Sequence, residues 1–113
     1  MTIELDFDAD TVQDAFFYFC QRDVQISGPT GWRLRMMRAL DSEAPWGVLA
    51  RFEKDKEKRF AVYVLKSHRG EGKLSAFIAE HQIMNFITVD DCNVAGFYAK
   101  HGRDCLVLQT PRA

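Results

Sequence analysis

An apolar strand, a turn with two glycines and an amphipathic helix follow one another in the middle of this chain. Residues 60–65 (Phe-Ala-Val-Tyr-Val-Leu) are apolar at every position, which is typical of a strand covered on both faces. The turn, residues 68–73, reads His-Arg-Gly-Glu-Gly-Lys. Leu74, Phe77, Ile78 and His81 then recur with the spacing of one helical face. This order predicts an α/β (α+β) fold in which helices cover a sheet.

The turn at residues 68–73 has the composition of an anion-binding site. The first N–H groups of a helix have no partner within the helix, and the helix dipole is positive at that end. Glycine lets the backbone approach an anion closely, and Arg69 and Lys73 add positive charge. The turn therefore predicts a phosphate or pyrophosphate site. The alternative is an ordinary strand-to-helix connection with a solvated charge cluster.

The N-terminal part of the chain predicts a strand and a helix, followed by an ambiguous segment. Residues 3–7 alternate apolar and polar side chains, as a half-buried strand does. Asp10 is predicted to cap a helix rich in aromatic residues, and residues 27–31 (Ser-Gly-Pro-Thr-Gly) are predicted to break the chain after it. Residues 32–40 fit a strand or a helix, and we favour a helix.

The C-terminal part predicts a hairpin followed by two strand–helix units. Residues 47–53 and 59–66 are predicted strands joined by a charged connection. A strand at residues 86–89 precedes a helix that ends at Gly102, and a last strand covers residues 105–108. The element order is β-α-(α)-β-β-α-β-α-β, which predicts a mixed, mostly antiparallel sheet flanked by helices.

Length and composition fit one globular domain, residues 1–113. The chain is 47% hydrophobic and 27% charged, as folded proteins are, and no apolar run reaches the roughly 18 residues of a membrane helix. The acidic N-terminus is unlike a signal peptide. Three scattered cysteines indicate neither a disulfide framework nor a metal site, so we predict a cytoplasmic protein without a metal. Cys20 and Cys105 lie in apolar sequence and are predicted core residues.

Charge is distributed unevenly along the chain. Residues 1–24 carry six acidic and one basic side chain, whereas residues 25–113 carry fourteen basic and ten acidic ones. The positive part contains the glycine turn, which suits a polyanionic ligand. Arg33, Arg35 and Arg38 are either a solvated face or a contact for an acidic substrate or for nucleotide phosphates. The positive excess is too small to indicate nucleic acid by itself.

The motifs in residues 60–102 resemble the GNAT superfamily of acyl-CoA N-acyltransferases. The phosphate motif of that family has Arg or Gln, two residues, Gly, one residue, and Gly or Ala. Arg69 and Gly72 fit this motif, whereas Leu74 takes the final small position. The resemblance implies a GNAT-like fold in which the strand before the motif is splayed from its parallel neighbour. The splay would open a slot for a thioester.

The resemblance implies a function as well as a fold. The chain would move an acetyl or similar acyl group from acetyl-CoA, its acyl donor, to a primary amine. The pyrophosphate would lie on the turn, and the pantetheine arm would pair with the preceding strand. Asn93 would contact the arm, although Asp91 stands at the usual interval of the family. The implied cofactor-binding residues are Val64, Leu65, Lys66, Arg69, Gly70, Glu71, Gly72, Lys73, Leu74, Asn93 and Tyr98.

Two side chains are candidates for catalysis. Tyr98 resembles the tyrosine that protonates the departing thiolate in many family members, and its alternative role is that of a core aromatic. Glu53 is our candidate for the base that removes the ammonium proton, with His68 as the second choice. The acceptor, a small molecule or a protein, is not indicated by any motif.

The chain also departs from the family pattern. It is shorter than usual, and Arg103 stands where an aromatic residue commonly follows the glycine. Such a trimmed member would have a shallow acceptor site, complete the site as a homodimer, or have lost catalysis. In the last case it would be an inert module that binds coenzyme A or a protein. An unrelated α/β interaction module with an incidental turn is the remaining alternative.

Overall fold

One mixed sheet with helices on both faces is built from residues 8–109, which are the residues that the computed structural model describes. Within them the order of the five strands across the sheet is their order along the chain. The elements are α1 (Val12–Thr30), β1 (Arg33–Leu40), β2 (Gly47–Lys54), β3 (Glu57–Val64), α2 (Lys73–His81), β4 (Asn85–Val89), α3 (Cys92–Lys100) and β5 (Asp104–Leu108).

The strand pairing confirms the α+β class with a mixed sheet. β1, β2 and β3 pair antiparallel, whereas β3, β4 and β5 pair parallel. Most of the paired positions in residues 8–109 are antiparallel, because β3 and β4 pair at one position only. Residues 3–7, for which we predict a strand, lie outside the described residues.

The two faces of the sheet are covered by different helices. α1 packs on one face, where Phe19 and Ile26 are buried against β2 and β3. α2 and α3 cover the opposite face through Phe77, Ile78 and Tyr98. We call these the α1 face and the α2/α3 face. On the predicted apolar side of α2, Phe77 and Ile78 are buried as expected, whereas His81 at the end of the helix is exposed.

The prediction of a helix at residues 32–40 is wrong, because this segment forms β1. Leu34 and Met37 pack on the α1 face, and Met36 and Leu40 pack on the α2/α3 face. A β-bulge between Leu34 and Met36 interrupts the alternation of the strand. The apolar residues on each face are consequently three or four positions apart, which is also the spacing of a helix.

α1 begins with a different cap from the one predicted. The Oγ1 atom of Thr11, not the carboxylate of Asp10, accepts a hydrogen bond from the backbone N–H of Asp14 at 3.1 Å. Thr11 has an extended backbone, which is the usual conformation of an N-cap residue. Threonine and aspartate are both good caps, so adjacent candidates are not separated by sequence alone.

α1 also continues through most of the predicted break at residues 27–31. The helix ends at Thr30, and Gly31 follows it with a φ of 80°. The N–H of Gly31 donates to the carbonyl oxygen of Ser27 at 2.8 Å, which closes the last turn. Pro29 removes one helical hydrogen bond near the end, whereas the left-handed glycine terminates the helix.

The cysteines do not all lie where the sequence predicts. Cys20 is exposed on α1, so its predicted place in the core is wrong. Cys105 is half-buried on β5, and Cys92 is exposed at the start of α3. All three are free thiols. Cys20 follows the buried Phe19 directly, and the helical turn from one residue to the next carries its side chain to the solvent side.

The predicted hairpin at residues 47–66 is confirmed. β2 and β3 pair antiparallel without interruption from Gly47–Val64 to Lys54–Glu57. Asp55 in the connecting turn has a φ of 55°, a conformation that aspartate tolerates better than most residues. The charged connection between the strands is therefore a tight turn.

Gly47→Ala is expected to destabilise the fold by about 1–3 kcal/mol. A Cβ atom at Gly47 would lie 2.6 Å from the carbonyl oxygen of Tyr63, and this backbone atom is fixed by the hairpin. Gly96→Ala is the matched control, because a Cβ atom there meets nothing within 4 Å on a helix. We expect the control to gain about 0.5–1 kcal/mol. Urea denaturation measures both changes, and equal effects of the two variants would contradict the described approach of β2 and β3.

Candidate functional site

The parallel strands β3 and β4 meet at one position and then separate. Phe60 pairs with Phe86, and this is the single register pair between the two strands in residues 8–109. β4 and β5, by contrast, pair at five positions. The sheet is therefore open between β3 and β4 beyond Phe60.

Main-chain groups of β3 face this gap. The N–H of Leu65 donates toward the β2 side of the sheet, and successive residues of a strand direct these groups to alternate sides. The main-chain N–H and C=O groups of Val62 and Val64 consequently point toward β4. The carbonyl oxygen of Val64 accepts from Nε of Arg69 at 3.2 Å, and the backbone of Val62 hydrogen-bonds the Tyr98 hydroxyl. The side chains of Arg69 and Tyr98 thus bond main-chain groups that a neighbouring strand would bond in a closed sheet.

A cavity of about 410 Å³ lies in the gap between β3 and β4. Its volume is in the range of small-molecule sites. It reaches both faces of the sheet, because the strands that would divide it are apart. β3 and β4 line it at residues 61–64 and 87–89. The α1 face contributes Tyr18, Phe19, Arg22 and Ile26, and the α2/α3 face contributes Leu74, Val94, Phe97 and Tyr98.

Tyr98 closes the cavity on the α2/α3 face. Its ring stacks on Phe86, with the ring centroids 3.9 Å apart, and the residue is only 1% exposed. Burial raises the pKa of the Tyr98 hydroxyl well above its ordinary value, and Cys105 adds to the rise. The hydrogen bond from the backbone of Val62 opposes this pKa shift without reversing it. The hydroxyl is therefore a neutral proton donor at physiological pH.

Arg69 joins the glycine turn to the cavity wall. Its Nη1 donates to Oδ1 of Asp8 at 2.6 Å, and its Nη2 donates to the hydroxyl of Tyr63 at 3.0 Å. The same hydroxyl accepts the N–H of Ala9 at 2.6 Å. Burial lowers the pKa of Arg69, but its bond to Asp8 and the other contacts outweigh burial and raise the pKa overall. Arg69 is thus a fixed, charged support between the turn and β3.

Tyr18 and Arg22 line the cavity from one side of α1. The Tyr18 ring lies 4.9 Å from the Tyr63 ring, and the guanidinium of Arg22 lies 4.5 Å above the Tyr18 ring. Nη1 of Arg22 donates to Oε1 of Gln25 at 3.2 Å. Burial raises the pKa of the Tyr18 hydroxyl, and the charge and hydrogen bond of Arg22 partly offset that rise. This wall therefore combines the rings of Tyr18 and Tyr63 with a stacked cation.

The turn before α2 leaves its main chain open. Gly70 and Gly72 have φ values of 82° and 75°, which favour glycine at both positions. A Cβ atom at either glycine would meet nothing within 4 Å. Gly72 is the N-cap of α2 and makes no side-chain capping bond, and Lys73 follows it exposed to solvent. The turn offers N–H groups and a lysine beside the cavity.

Some of the predicted cofactor-binding residues line the cavity and others do not. Val64, Arg69, Leu74 and Tyr98 line it. Residues 70–73 are exposed in the turn, between the lining residues Arg69 and Leu74. The other two predicted residues on this segment are directed elsewhere: Leu65 is buried in the α1-face core, and Lys66 is exposed with Nζ 3.8 Å from Asp8.

The structure places both predicted bases outside the cavity. Glu53 lies on β2, and its Oε2 atom accepts from Nε of Arg51 at 2.8 Å. Phe52 lines the cavity from the same strand, so Glu53 is directed to the opposite face. Nδ1 of His68 lies 3.0 Å from Oε1 of Glu71 in the turn. We therefore give neither residue a role in the chemistry proposed below.

Asp91, not Asn93, contributes to the cavity at the start of α3. Asn93 is exposed and lies outside the lining residues. Oδ1 of Asp91 accepts the N–H groups of Asn93 and Val94, both at 3.0 Å, and so caps the helix. The Asp91 carboxylate also lines the cavity. Of the two candidates at the start of α3, Asp91 is thus the one that reaches the cavity.

Sequence reasoning missed most of the polar lining on the α1 face. Tyr18, Arg22 and Tyr63 all line the cavity, and none of them is a predicted site residue. The available signal was the spacing of Tyr18 and Arg22, which are four residues apart on a helix and therefore neighbours. Their position opposite Tyr63 depends on the packing of α1, which a local pattern does not give.

Residues 8–109 define an α+β protein whose sheet is opened between two parallel strands by a partly polar cavity. Comparisons of the chain with family models, with curated proteins and with solved structures find no match. Among the helices of residues 8–109, none is both long enough and apolar enough to cross a membrane.

Proposed function

We propose that this chain is a GNAT-like N-acyltransferase that moves an acetyl or similar acyl group from coenzyme A to a primary amine. One observation carries the proposal: β3 separates from β4 after the Phe60–Phe86 pair, which opens a cavity directly beside the glycine turn. The cavity would hold the thioester of acetyl-CoA, and the adjacent turn would hold its pyrophosphate. A single extended donor molecule requires these two sites to be neighbours. A cytoplasmic location is part of this proposal.

The turn and β3 have features that fit acetyl-CoA. The N–H groups at the start of α2 and the charge of Lys73 would hold the pyrophosphate. The Leu74 side chain packs into the core on the α2/α3 face, which leaves the outer side of the turn open. Because Tyr98 and Arg69 bond the N–H of Val62 and the carbonyl oxygen of Val64, the amides of the pantetheine arm would pair with the carbonyl oxygen of Val62 and the N–H of Val64, as an added strand does.

Tyr98 has the properties of the proton donor in this reaction. The ammonium group of the acceptor first loses one proton to solvent. Its neutral nitrogen then attacks the carbonyl carbon of the thioester, a C–N bond forms, and the C–S bond breaks. The Tyr98 hydroxyl gives its proton to the leaving sulfur and recovers one from the nitrogen. The raised pKa of Tyr98 keeps this hydroxyl protonated before the reaction.

A catalytically inert coenzyme A-binding or protein-interaction module is the second candidate. The ion pair of Glu53 with Arg51 and the contact of His68 with Glu71 favour it, because both predicted bases are engaged away from the cavity. This candidate predicts binding of coenzyme A without acyl transfer to any amine. The two candidates therefore differ in turnover and not in donor binding.

Calorimetric titration with acetyl-CoA, coenzyme A and pantetheine tests the proposed donor site. We expect micromolar binding of both coenzyme A species. Lys73→Glu should weaken their binding about tenfold, because it places a negative charge at the phosphates. Pantetheine lacks the pyrophosphate, so its affinity should not change in this variant.

Lys56→Glu is the matched control for this experiment. Lys56 is also an exposed lysine, but it lies in the β2–β3 turn, at the opposite end of β3 from the glycine turn. Its replacement should leave every affinity unchanged. An absence of heat with all three ligands, from a protein shown to be folded, would reject the proposed function. Equal losses for coenzyme A and pantetheine would reject the assignment of the phosphates to the turn.

A further inference from the structure

Much of the cavity on the α1 face is lined by buried apolar side chains. Phe19 and Ile26 of α1, Phe52 of β2 and Ile87 of β4 line it, and each of the four is at most 3% exposed. All four belong to the core between α1 and the sheet. The gap between β3 and β4 joins this space to the side of the sheet on which Tyr98 lies. A chain that passes between the strands therefore enters an apolar compartment.

The tyrosine hydroxyls on the same face are bonded to other groups of the protein. The Tyr63 hydroxyl accepts from the N–H of Ala9 and from Nη2 of Arg69. The Tyr18 hydroxyl is hydrogen-bonded to Arg22. These hydroxyls consequently do not depend on a ligand for their hydrogen bonds. A ligand in this part of the cavity would gain its affinity from the apolar surface that it buries.

The cavity is larger than an acetyl thioester requires. At about 30 Å³ for each non-hydrogen atom, which is the volume of one water molecule in the liquid, an acetyl group with the last four atoms of the pantetheine arm fills roughly 210 Å³. The volume of the cavity is about 410 Å³. On the same scale, an octanoyl group with those four atoms fills roughly 390 Å³. The excess volume thus corresponds to about six further carbon atoms.

We propose that the acyl group of the donor is a linear chain of about six to eight carbon atoms, held against Ile26 and Phe52 on the α1 face. This inference rests on the proposed function and names the acyl class of its donor. The thioester would stay beside Tyr98, and the chain would pass through the gap beyond Phe60. The bonds that form and break are those of the proposed reaction, with a longer acyl group.

An apolar compartment selects acyl groups by the surface that they bury. Each CH₂ group that moves from water into an apolar site raises the affinity by up to about fourfold. Ordering of the chain offsets part of this gain, so we expect about two- to threefold for each CH₂ group. The gain should stop where the compartment is full, because further carbon atoms then stay in water or strain the wall.

Calorimetric titration of the full chain with a series of thioesters, in the absence of any amine, tests this inference. The series consists of coenzyme A and its acetyl, butyryl, hexanoyl, octanoyl and decanoyl thioesters. Hexanoyl-CoA should bind at least about tenfold more tightly than acetyl-CoA, and decanoyl-CoA should gain nothing over octanoyl-CoA. The hexanoyl and acetyl thioesters of pantetheine, which lack the pyrophosphate, should differ by the same factor.

Two substitutions should shift the preferred chain length in opposite directions. Ile26→Phe enlarges a fully buried wall residue, so the affinity for hexanoyl-CoA should fall to within about twofold of that for acetyl-CoA, which should itself not change. Phe52→Leu enlarges the compartment, so decanoyl-CoA should now bind more tightly than octanoyl-CoA. It also provides a second variant if Ile26→Phe does not fold. Val24→Phe is the matched control and should change nothing, because Val24 is 79% exposed on the same helix.

The outcomes separate this inference from the proposed function. Equal affinities for acetyl-CoA and hexanoyl-CoA would overturn the inference and leave the proposed donor site standing. Equal effects of Ile26→Phe and Val24→Phe on hexanoyl-CoA would overturn it as well, because the chain would then bind outside the compartment. A preference for the hexanoyl thioester of pantetheine, without binding of any coenzyme A species, would instead reject the coenzyme A donor and retain the acyl compartment. If no thioester binds, both proposals are overturned.

Discussion

Acyl transfer should fall by about 100- to 10,000-fold when Tyr98 is replaced by phenylalanine, with the Kd for coenzyme A unchanged. The substitution removes the hydroxyl that would protonate the leaving sulfur and keeps the ring that stacks on Phe86. The donor arm would contact β3, not the ring, so its binding should survive. The measurement is the steady-state rate of free thiol release with saturating acetyl-CoA and the amine that wild type uses best.

Two controls make the Tyr98→Phe result specific. The hydrogen bond to the backbone of Val62 is lost, so the variant should be less stable by only about 1 kcal/mol, as urea denaturation would measure. Burial raises the pKa of Tyr98 above its ordinary value, so the wild-type rate should not decline up to about pH 10 through loss of this proton. An unchanged rate in Tyr98→Phe would exclude Tyr98 as the donor and leave it a core aromatic.

Phe86→Ala should destabilise the fold by about 3–5 kcal/mol, the usual range for an aromatic residue removed from a core. Phe86 is fully buried, stacks on Tyr98 and forms the single register pair of β3 with β4 in residues 8–109. Its loss leaves a void at the point where the two strands meet. Affinity for coenzyme A should fall as well, because the width of the gap depends on this contact.

Phe17→Ala is the matched control for Phe86→Ala. The Phe17 side chain is 57% exposed on α1, so the same truncation removes little buried surface. Alanine is also the better helix former. We expect a change of less than about 0.5 kcal/mol in the free energy of unfolding by urea. Similar losses for the two variants would mean that the β3–β4 contact does not hold the sheet together.

Segments with one clear periodicity were predicted well from sequence. The hairpin of β2 and β3, the helix α2 and its buried residues Phe77 and Ile78 all follow local patterns that the structure confirms. The segment at residues 32–40 was predicted wrongly, because a bulge gives this strand the apolar spacing of a helix. The end of α1 was displaced, because Pro29 weakens a helix whereas Gly31 ends it.

The predicted residues that line the cavity lie on one stretch of chain, with the exception of Tyr98. Arg69 and Leu74 flank the glycine turn and line the cavity, and Val64 and Tyr98 line it as well. The carboxylate in the cavity is Asp91, whereas the predicted Glu53 faces away on the opposite side of β2. A sequence pattern shows which face of a strand a residue occupies relative to its neighbours. It does not show which face another helix will cover.

The sequence by itself determined the strand–turn–helix unit, the need for glycine in its turn, and the class of the fold. These depend on backbone conformation and on periodicity, which are properties of neighbouring residues. Only the tertiary structure decided that β3 and β4 part after Phe60 and that Tyr18, Arg22, Asp91 and Tyr98 surround one cavity. These four residues come from α1, from α3 and from the residue before α3, and their proximity depends on long-range packing of both helices against the sheet.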